Sequence, residues 1–158
     1  MRMTTDSRSR HGDEPEIARP GLLAAYRGLA MLLGTLVLIQ AIMAGRWLGH
    51  TEGLNTLIKS HGFLGELAWL VAIVQAVVIA MIGFPRHIHN VVLAVAVAIV
   101  VLMTAQIGMG YAGRDTNLGK TSGKESRSTH IANGVLIFGL SMLNISYATR
   151  VGRPSRGY

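Results

Sequence analysis

The sequence predicts an all-α fold: an integral membrane four-helix bundle built from two tandem helix hairpins. Half of the 158 residues are hydrophobic and only 15% are charged, a balance that excludes a disordered chain and is unusual for a water-soluble domain. Four apolar segments are long enough to cross a hydrocarbon core about 30 Å thick. None alternates like a strand, and helices satisfy the backbone hydrogen bonds that lipid cannot supply.

Turn-forming residues separate the four predicted spans. Pro20 and Gly21 precede the first span, Pro85 follows the second and Pro154 follows the fourth, as expected for a residue that starts and ends helices. The spans run from Leu22 to Gly45, His61 to Phe84, Asn90 to Tyr111 and Thr129 to Thr149.

The connections between the spans differ in length. The segment from Pro85 to His89 is so short that the second and third helices must be antiparallel neighbours. The connections over residues 46–60 and 112–128 are longer and lie on the opposite side. The second of them is rich in Gly, Ser, Thr, Lys and Arg, and we expect it to be mobile.

Charge predicts the orientation of the chain. Nine of the 15 Lys and Arg residues fall on the side of the two termini, and positive charge is retained in the cytoplasm. We therefore expect a disordered cytoplasmic tail over residues 1–20, the transmembrane domain over 21–150 and a short cytoplasmic tail over 151–158. The net charge of +7 would suggest nucleic acid in a soluble protein, but the apolar spans take precedence and predict a lipid bilayer as the partner.

An internal repeat relates the two hairpins. An offset of 69 residues superposes two H-x-x-x-G motifs, each followed by an amide fourteen residues after its His. The aligned pairs are His61 with His130, Gly65 with Gly134, and Gln75 with Asn144. At about 100° per residue each set shares one helix face. A second offset, of 66 residues, aligns Gln40 with Gln106, so the hairpins resemble parallel copies around a pseudo-twofold axis along the membrane normal.

The paired histidines indicate a cofactor. Two imidazoles at one depth, on helices facing each other, suit axial ligation of a single haem by His61 and His130. Gly65 and Gly134 would leave room for the flat macrocycle. The chain has no cysteine, so a thioether-attached haem is excluded and haem b is the candidate. The alternative is structural, because small residues also let membrane helices pack closely and histidines at helix ends contact water or headgroups.

Further polar residues are assigned to the same region. Lys59 and Arg127 shortly precede the two histidines and would pair with the anionic haem propionates. Gln40 and Gln106 lie near the same ends of their helices. Glu66 is an ionisable group inside a span and therefore a functional candidate: it could relay a proton, bind a quinol hydroxyl, accept a hydrogen bond from either glutamine, or serve as a neutral structural acid.

On these residues the chain resembles one half of haem A synthase, whose halves are four-helix bundles with paired histidines on the second and fourth helices. It is also similar to a family of small bacterial four-span membrane proteins. The resemblance covers residues 24–150 and rests on Gln40, His61, Gly65, Gln106, His130 and Gly134. It implies the bundle, the axial-ligand role of the histidines and a bacterial inner membrane. It does not imply synthase activity, because the glutamate shortly before the first histidine and the cysteine pair of many synthases are absent here.

Two functional hypotheses follow. The first is a membrane-embedded haem b-binding protein that transfers electrons or handles haem in connection with respiration, with a membrane quinone as a candidate partner. The second is a haem-free accessory or assembly subunit of a larger respiratory membrane complex. A homodimer is compatible with either hypothesis, neither assigns a catalytic residue, and we expect no nucleic-acid partner.

Overall fold

The protein is a bundle of four long helices. The computed structural model describes residues 19–47, 54–112 and 120–151, with side chains described except at 46–47, 54–57 and 120–127. Helix α1 spans Pro20–Trp47, α2 spans Leu54–Met81, α3 spans Arg86–Ala112 and α4 spans Lys120–Arg150. No strand occurs in the described ranges, and all four helices are long and apolar enough to cross a membrane. The predicted fold class is confirmed, and the protein is a multi-pass membrane protein.

The four helices form a closed ring of neighbours. Helices α1 and α3 each pack against both α2 and α4, so α2 and α4 face each other diagonally across the bundle axis. Successive helices are antiparallel, and the chain forms two hairpins in tandem. The end of the bundle that carries His61 and His130 is called the histidine end below, and the other is called the opposite end.

All four helices begin earlier than the predicted spans, and the difference is largest for α2 and α4. Helix α2 starts at Leu54 and α4 at Lys120, so the second half of the connection predicted over residues 112–128 belongs to helix α4. At the α2–α3 connection the helix ends earlier instead, at Met81, and Phe84 lies outside it. The physical reason is that hydropathy reports where lipid begins, whereas a helix continues into water as long as its backbone hydrogen bonds are made.

The helix faces that carry the two H-x-x-x-G motifs line the bundle axis. The residues that continue these faces after Gly65 and Gly134 are all 3% exposed or less, namely Ala68, Ala72, Gln75, Ile79, Ile137, Ser141, Asn144 and Ala148. Residues aligned by the repeat also meet each other across the axis: His61 lies beside His130, and the side-chain amide of Asn144 donates to Gln75 Oε1 at 2.9 Å. Pairwise meeting of equivalent residues is what a pseudo-twofold axis between α2 and α4 requires.

Arginines close the opposite end of the ring. Arg27 donates through Nε to the carbonyl of Ala148 at 2.9 Å and through a terminal nitrogen to that of Val151 at 2.6 Å. Arg19 donates to the carbonyl of Met81 at 3.1 Å. The last carbonyls of a helix lack partners within the helix and carry its negative partial charge. The start of α1 therefore caps the ends of both α4 and α2.

Candidate functional site

His61 and His130 come together at the histidine end. Their ring centroids are 6.2 Å apart and the ring planes are inclined by 53°. Both rings are half-buried, and both Nδ1 atoms are fully buried. The Nδ1 of His130 has no hydrogen-bond partner, although buried polar atoms in proteins nearly always have one. The predicted meeting of the two imidazoles across the axis is thus present in the structure.

Each histidine backbone is held by a glutamine from the neighbouring helix. Gln40 on α1 donates through Nε2 to the carbonyl of His61 at 2.7 Å, and Gln106 on α3 donates to the carbonyl of His130 at 3.0 Å. The two contacts occupy equivalent positions in the two hairpins. The sequence placed the glutamines at the right depth, but their partners are backbone carbonyls, and the glutamines thereby fix the height of both histidines.

The repeated spacing within H-x-x-x-G has a visible packing role. A Cβ added at Gly65 would lie 3.3 Å from Gln40 Nε2, and one added at Gly134 would lie 3.4 Å from Gln106 Nε2. In each hairpin the missing side chain therefore leaves space for the amide that binds the histidine carbonyl. Contact of these glycines with a macrocycle stays a prediction.

Two further residues, Asn133 and Gly110, complete the site, and the sequence did not assign them to it. Asn133 is buried and donates through Nδ2 to Gln106 Oε1 at 2.7 Å and to the carbonyl of Leu102 at 2.8 Å. Gly110 lies against the His130 ring, because a Cβ built there would be 3.5 Å from its Cε1. An asparagine next to Gly134, inside a predicted membrane span, was a signal available in the sequence. The Gly110 contact depends on the register of α3 against α4, which the sequence does not specify.

The two halves of the site are not identical. The residue equivalent to Asn133 in the first hairpin is Leu64, which cannot donate a hydrogen bond. As a result Gln40 Oε1 is buried without a partner, whereas the matching oxygen of Gln106 is satisfied. The His130 side is therefore more tightly constrained than the His61 side.

Glu66 lies outside the histidine pair. It sits on the side of α2 that faces α3, and Tyr111 donates a hydrogen bond to its Oε1 at 2.6 Å. The sequence suggested Gln40 and Gln106 as donors to Glu66, but both donate to histidine carbonyls instead. Of the cations predicted to flank the cofactor, Lys59 is exposed in the early part of α2, and the side chain of Arg127 lies outside the described residues.

The residues present are compatible with a haem. A metal held between two imidazole nitrogens at about 2 Å from each puts the ring centroids roughly 6 Å apart, which matches the observed 6.2 Å. No cluster of three or more His, Asp or Glu suited to a metal ion occurs in the described part of the chain. A pair of histidines is the protein ligand set of a metal whose other ligands come from a macrocycle, as in haem. The same centroid distance also occurs in ordinary aromatic pairs, so the unpartnered buried nitrogen of His130 is the more specific observation.

Comparison of the chain with protein-family models, with curated proteins and with solved structures finds no match. The class of the protein thus follows from the fold and the site alone: a four-span membrane bundle with a histidine pair on its axis.

Proposed function

We propose that the protein is a membrane-embedded haem b-binding protein, with His61 and His130 as the two axial ligands between α2 and α4. The observation that carries the proposal is the facing pair of rings at 6.2 Å, with a buried Nδ1 on His130 that no protein group satisfies. A haem with two histidine ligands supplies a one-electron redox centre without an open position on its iron. Electron transfer or haem handling linked to respiration is the corresponding role.

The contributions of the chain to such a site are positional. Gln40 and Gln106 hold the two histidine carbonyls at equivalent heights, and Asn133 fixes the orientation of Gln106. Exposed Lys59 offers a cation close in sequence to His61, and its charge favours the propionate end of a haem at this surface. We place this surface on the outer side of a bacterial inner membrane, with both termini in the cytoplasm, because the terminal side carries more Lys and Arg.

The test is a reduced-minus-oxidised absorption spectrum of the full-length protein purified from haem-replete membranes. We expect a b-type band with one haem per chain. Replacing either His61 or His130 with Ala should abolish the band, because each removes one of the two ligands. The matched control is His87→Ala, which changes an exposed histidine at the opposite end and should leave the band intact.

Two results would contradict the proposal. One is a folded wild-type protein without a haem band in a haem-replete preparation. The other is a band that survives both single substitutions. Circular dichroism of each variant separates loss of haem from loss of fold.

The rival function is a haem-free accessory or assembly subunit of a larger membrane complex. The observation in its favour is the set of well-exposed apolar side chains at the histidine end, including Phe63, Ile131 and Val135, which a partner helix could cover as well as lipid. Purification in mild detergent with a stoichiometric partner and no chromophore would support this function. A chain that purifies alone, or as a homodimer, with bound haem would exclude it.

A further inference from the structure

A groove opens toward lipid between α2 and α3. Its lining consists of Glu66, Trp69, Leu70, Thr104 and Ile107, and its volume is about 320 Å³. Glu66 lies eight residues after Ile58, where the candidate span of α2 begins, which places it about 12 Å along the helix at 1.5 Å per residue. The groove therefore presents a carboxylate to the apolar layer, where charged groups are costly and usually face a protein interior.

The polar atoms of the groove are satisfied with one exception. Trp69 Nε1 donates to Thr104 Oγ1 at 3.0 Å, and the Thr104 hydroxyl donates to the carbonyl of Val100 at 2.9 Å. Tyr111 donates to Glu66 Oε1. The second carboxylate oxygen, Glu66 Oε2, receives no hydrogen bond from any described residue. A carboxylate has capacity for several donors, so this oxygen can accept a hydrogen bond from a molecule in the groove.

The pseudo-twofold axis supplies an internal comparison. The same positions on the α4–α1 side are occupied by Val135, Phe138, Gly139, Leu38, Ala41 and Gly45, none of which has a polar side chain. The bundle thus packs on that side without any of these polar groups. The carboxylate, its tyrosine and the tryptophan–threonine pair are therefore not required by the architecture, and they distinguish one lateral face from the other.

The chemistry of the groove selects its ligand. The occupant must dissolve in the bilayer, because the groove opens there, and it must donate a hydrogen bond to Glu66 Oε2. A phospholipid phosphate is disfavoured, because the described residues that line the groove include no cation and the carboxylate repels an anion. The groove lining includes the indole of Trp69, which favours a ligand with a flat ring, since aromatic rings stack on one another.

We propose that this groove binds a membrane-dissolved hydroquinone, whose phenolic O–H donates to Glu66 Oε2 while its ring lies against Trp69. Glu66 is five residues from His61, about 7.5 Å along α2, so the groove and the histidine pair lie at similar depths in the bundle. A role for the quinol as electron donor rests on the proposed function, whereas its binding does not.

Trp69 provides the readout. The sequence contains two tryptophans, and Trp47→Phe leaves Trp69 as the sole emitter. Full-length protein with this substitution is reconstituted in lipid nanodiscs without haem and titrated with decylubiquinol under anaerobic conditions. We expect a saturable change in emission. The dimethyl ether of the same quinol, which has no O–H, should bind about tenfold more weakly or worse, since a hydrogen bond to a charged group is worth at least about that factor.

Two variants locate the site. Glu66→Gln replaces a carboxylate oxygen, which accepts hydrogen bonds, by an amide NH2 group, which only donates them. This change should weaken decylubiquinol binding about tenfold. Val135→Gln, at the equivalent position of the other face, should leave binding unchanged. A linear, unsaturable response, equal affinity in Glu66→Gln, or equally tight binding of the dimethyl ether or of dodecanol would overturn the proposal. A haem-free protein that binds the quinol would retain this site even if no haem band were found, so the two proposals fail separately.

Discussion

Asn133→Leu exchanges the one polar residue that distinguishes the two histidine supports. The substitution gives the second hairpin the residue that the first already has at its equivalent position, Leu64. It removes the hydrogen bonds from Asn133 to Gln106 Oε1 at 2.7 Å and to the carbonyl of Leu102 at 2.8 Å. Gln106 Oε1 then becomes a buried acceptor without a partner, as Gln40 Oε1 already is.

The expected magnitude follows from these contacts. Hydrogen bonds between membrane helices contribute about 0.6 kcal/mol on average and about 1.7 kcal/mol at most. Loss of two such bonds predicts a decrease of about 1 to 2 kcal/mol in the free energy of unfolding. The reciprocal change, Leu64→Asn, supplies a donor to the unpartnered oxygen of Gln40. The free energy gained from this hydrogen bond should offset the loss of the apolar contacts of Leu64. The free energy of unfolding should therefore stay within about 0.5 kcal/mol of the wild type.

The assay is equilibrium unfolding in mixed micelles with increasing sodium dodecyl sulfate, followed by circular dichroism on the haem-free protein. The double variant that carries both changes should lie close to Asn133→Leu. The reasoning is refuted if Asn133→Leu alters the free energy of unfolding by less than about 0.3 kcal/mol. It is also refuted if both single variants destabilise equally, because the two hairpins would then not be related as the hydrogen bonds indicate.

Two further predictions concern the fold. Arg27→Met should lower the free energy of unfolding by about 1–3 kcal/mol, because two carbonyls at the end of α4 lose a charged donor. The stability of Arg27→Lys should lie between that of Arg27→Met and that of the wild type, since lysine keeps the charge but lacks the forked donors of the guanidinium. Gly34→Leu should destabilise by about 1–3 kcal/mol through overpacking, because even a Cβ there would lie 2.5 Å from Ile145 Cδ1. Gly28→Leu is the control, since nothing lies within 4 Å of its added Cβ. The same unfolding assay checks both, and equal effects at Gly34 and Gly28 would contradict the packing argument.

The fold and the axial residues were predictable because their cause is periodic. Lipid requires long apolar helices, and a helix face repeats every few residues, so the buried positions of Gln75 and Asn144 and the meeting of His61 with His130 could be inferred from spacing. The same reasoning failed at helix ends such as Leu54 and Lys120, where no apolar signal marks the boundary.

The lateral contacts were not predictable from the sequence. Whether Glu66 meets Tyr111 or a glutamine depends on the rotation and height of α3 against α2, and neither quantity is encoded in the pattern of a single helix. The glutamines were correctly associated with the histidines by the repeat, but their attachment to backbone carbonyls requires the close helix approach that Gly65 and Gly134 permit. The sequence therefore left several roles open for Glu66, because one-dimensional periodicity does not specify contacts between helices.

The cap that α1 places on α4 bears on how the chain assembles during synthesis. Arg27 and its acceptors are separated by 121 and 124 residues, so the guanidinium enters the membrane region long before its acceptors have been translated. Until then its N–H groups must remain hydrated, because an unpaired charge is expensive in hydrocarbon. We therefore expect the first helix to reach its final depth only after the fourth has been inserted, with closure of the ring as the last step of biogenesis.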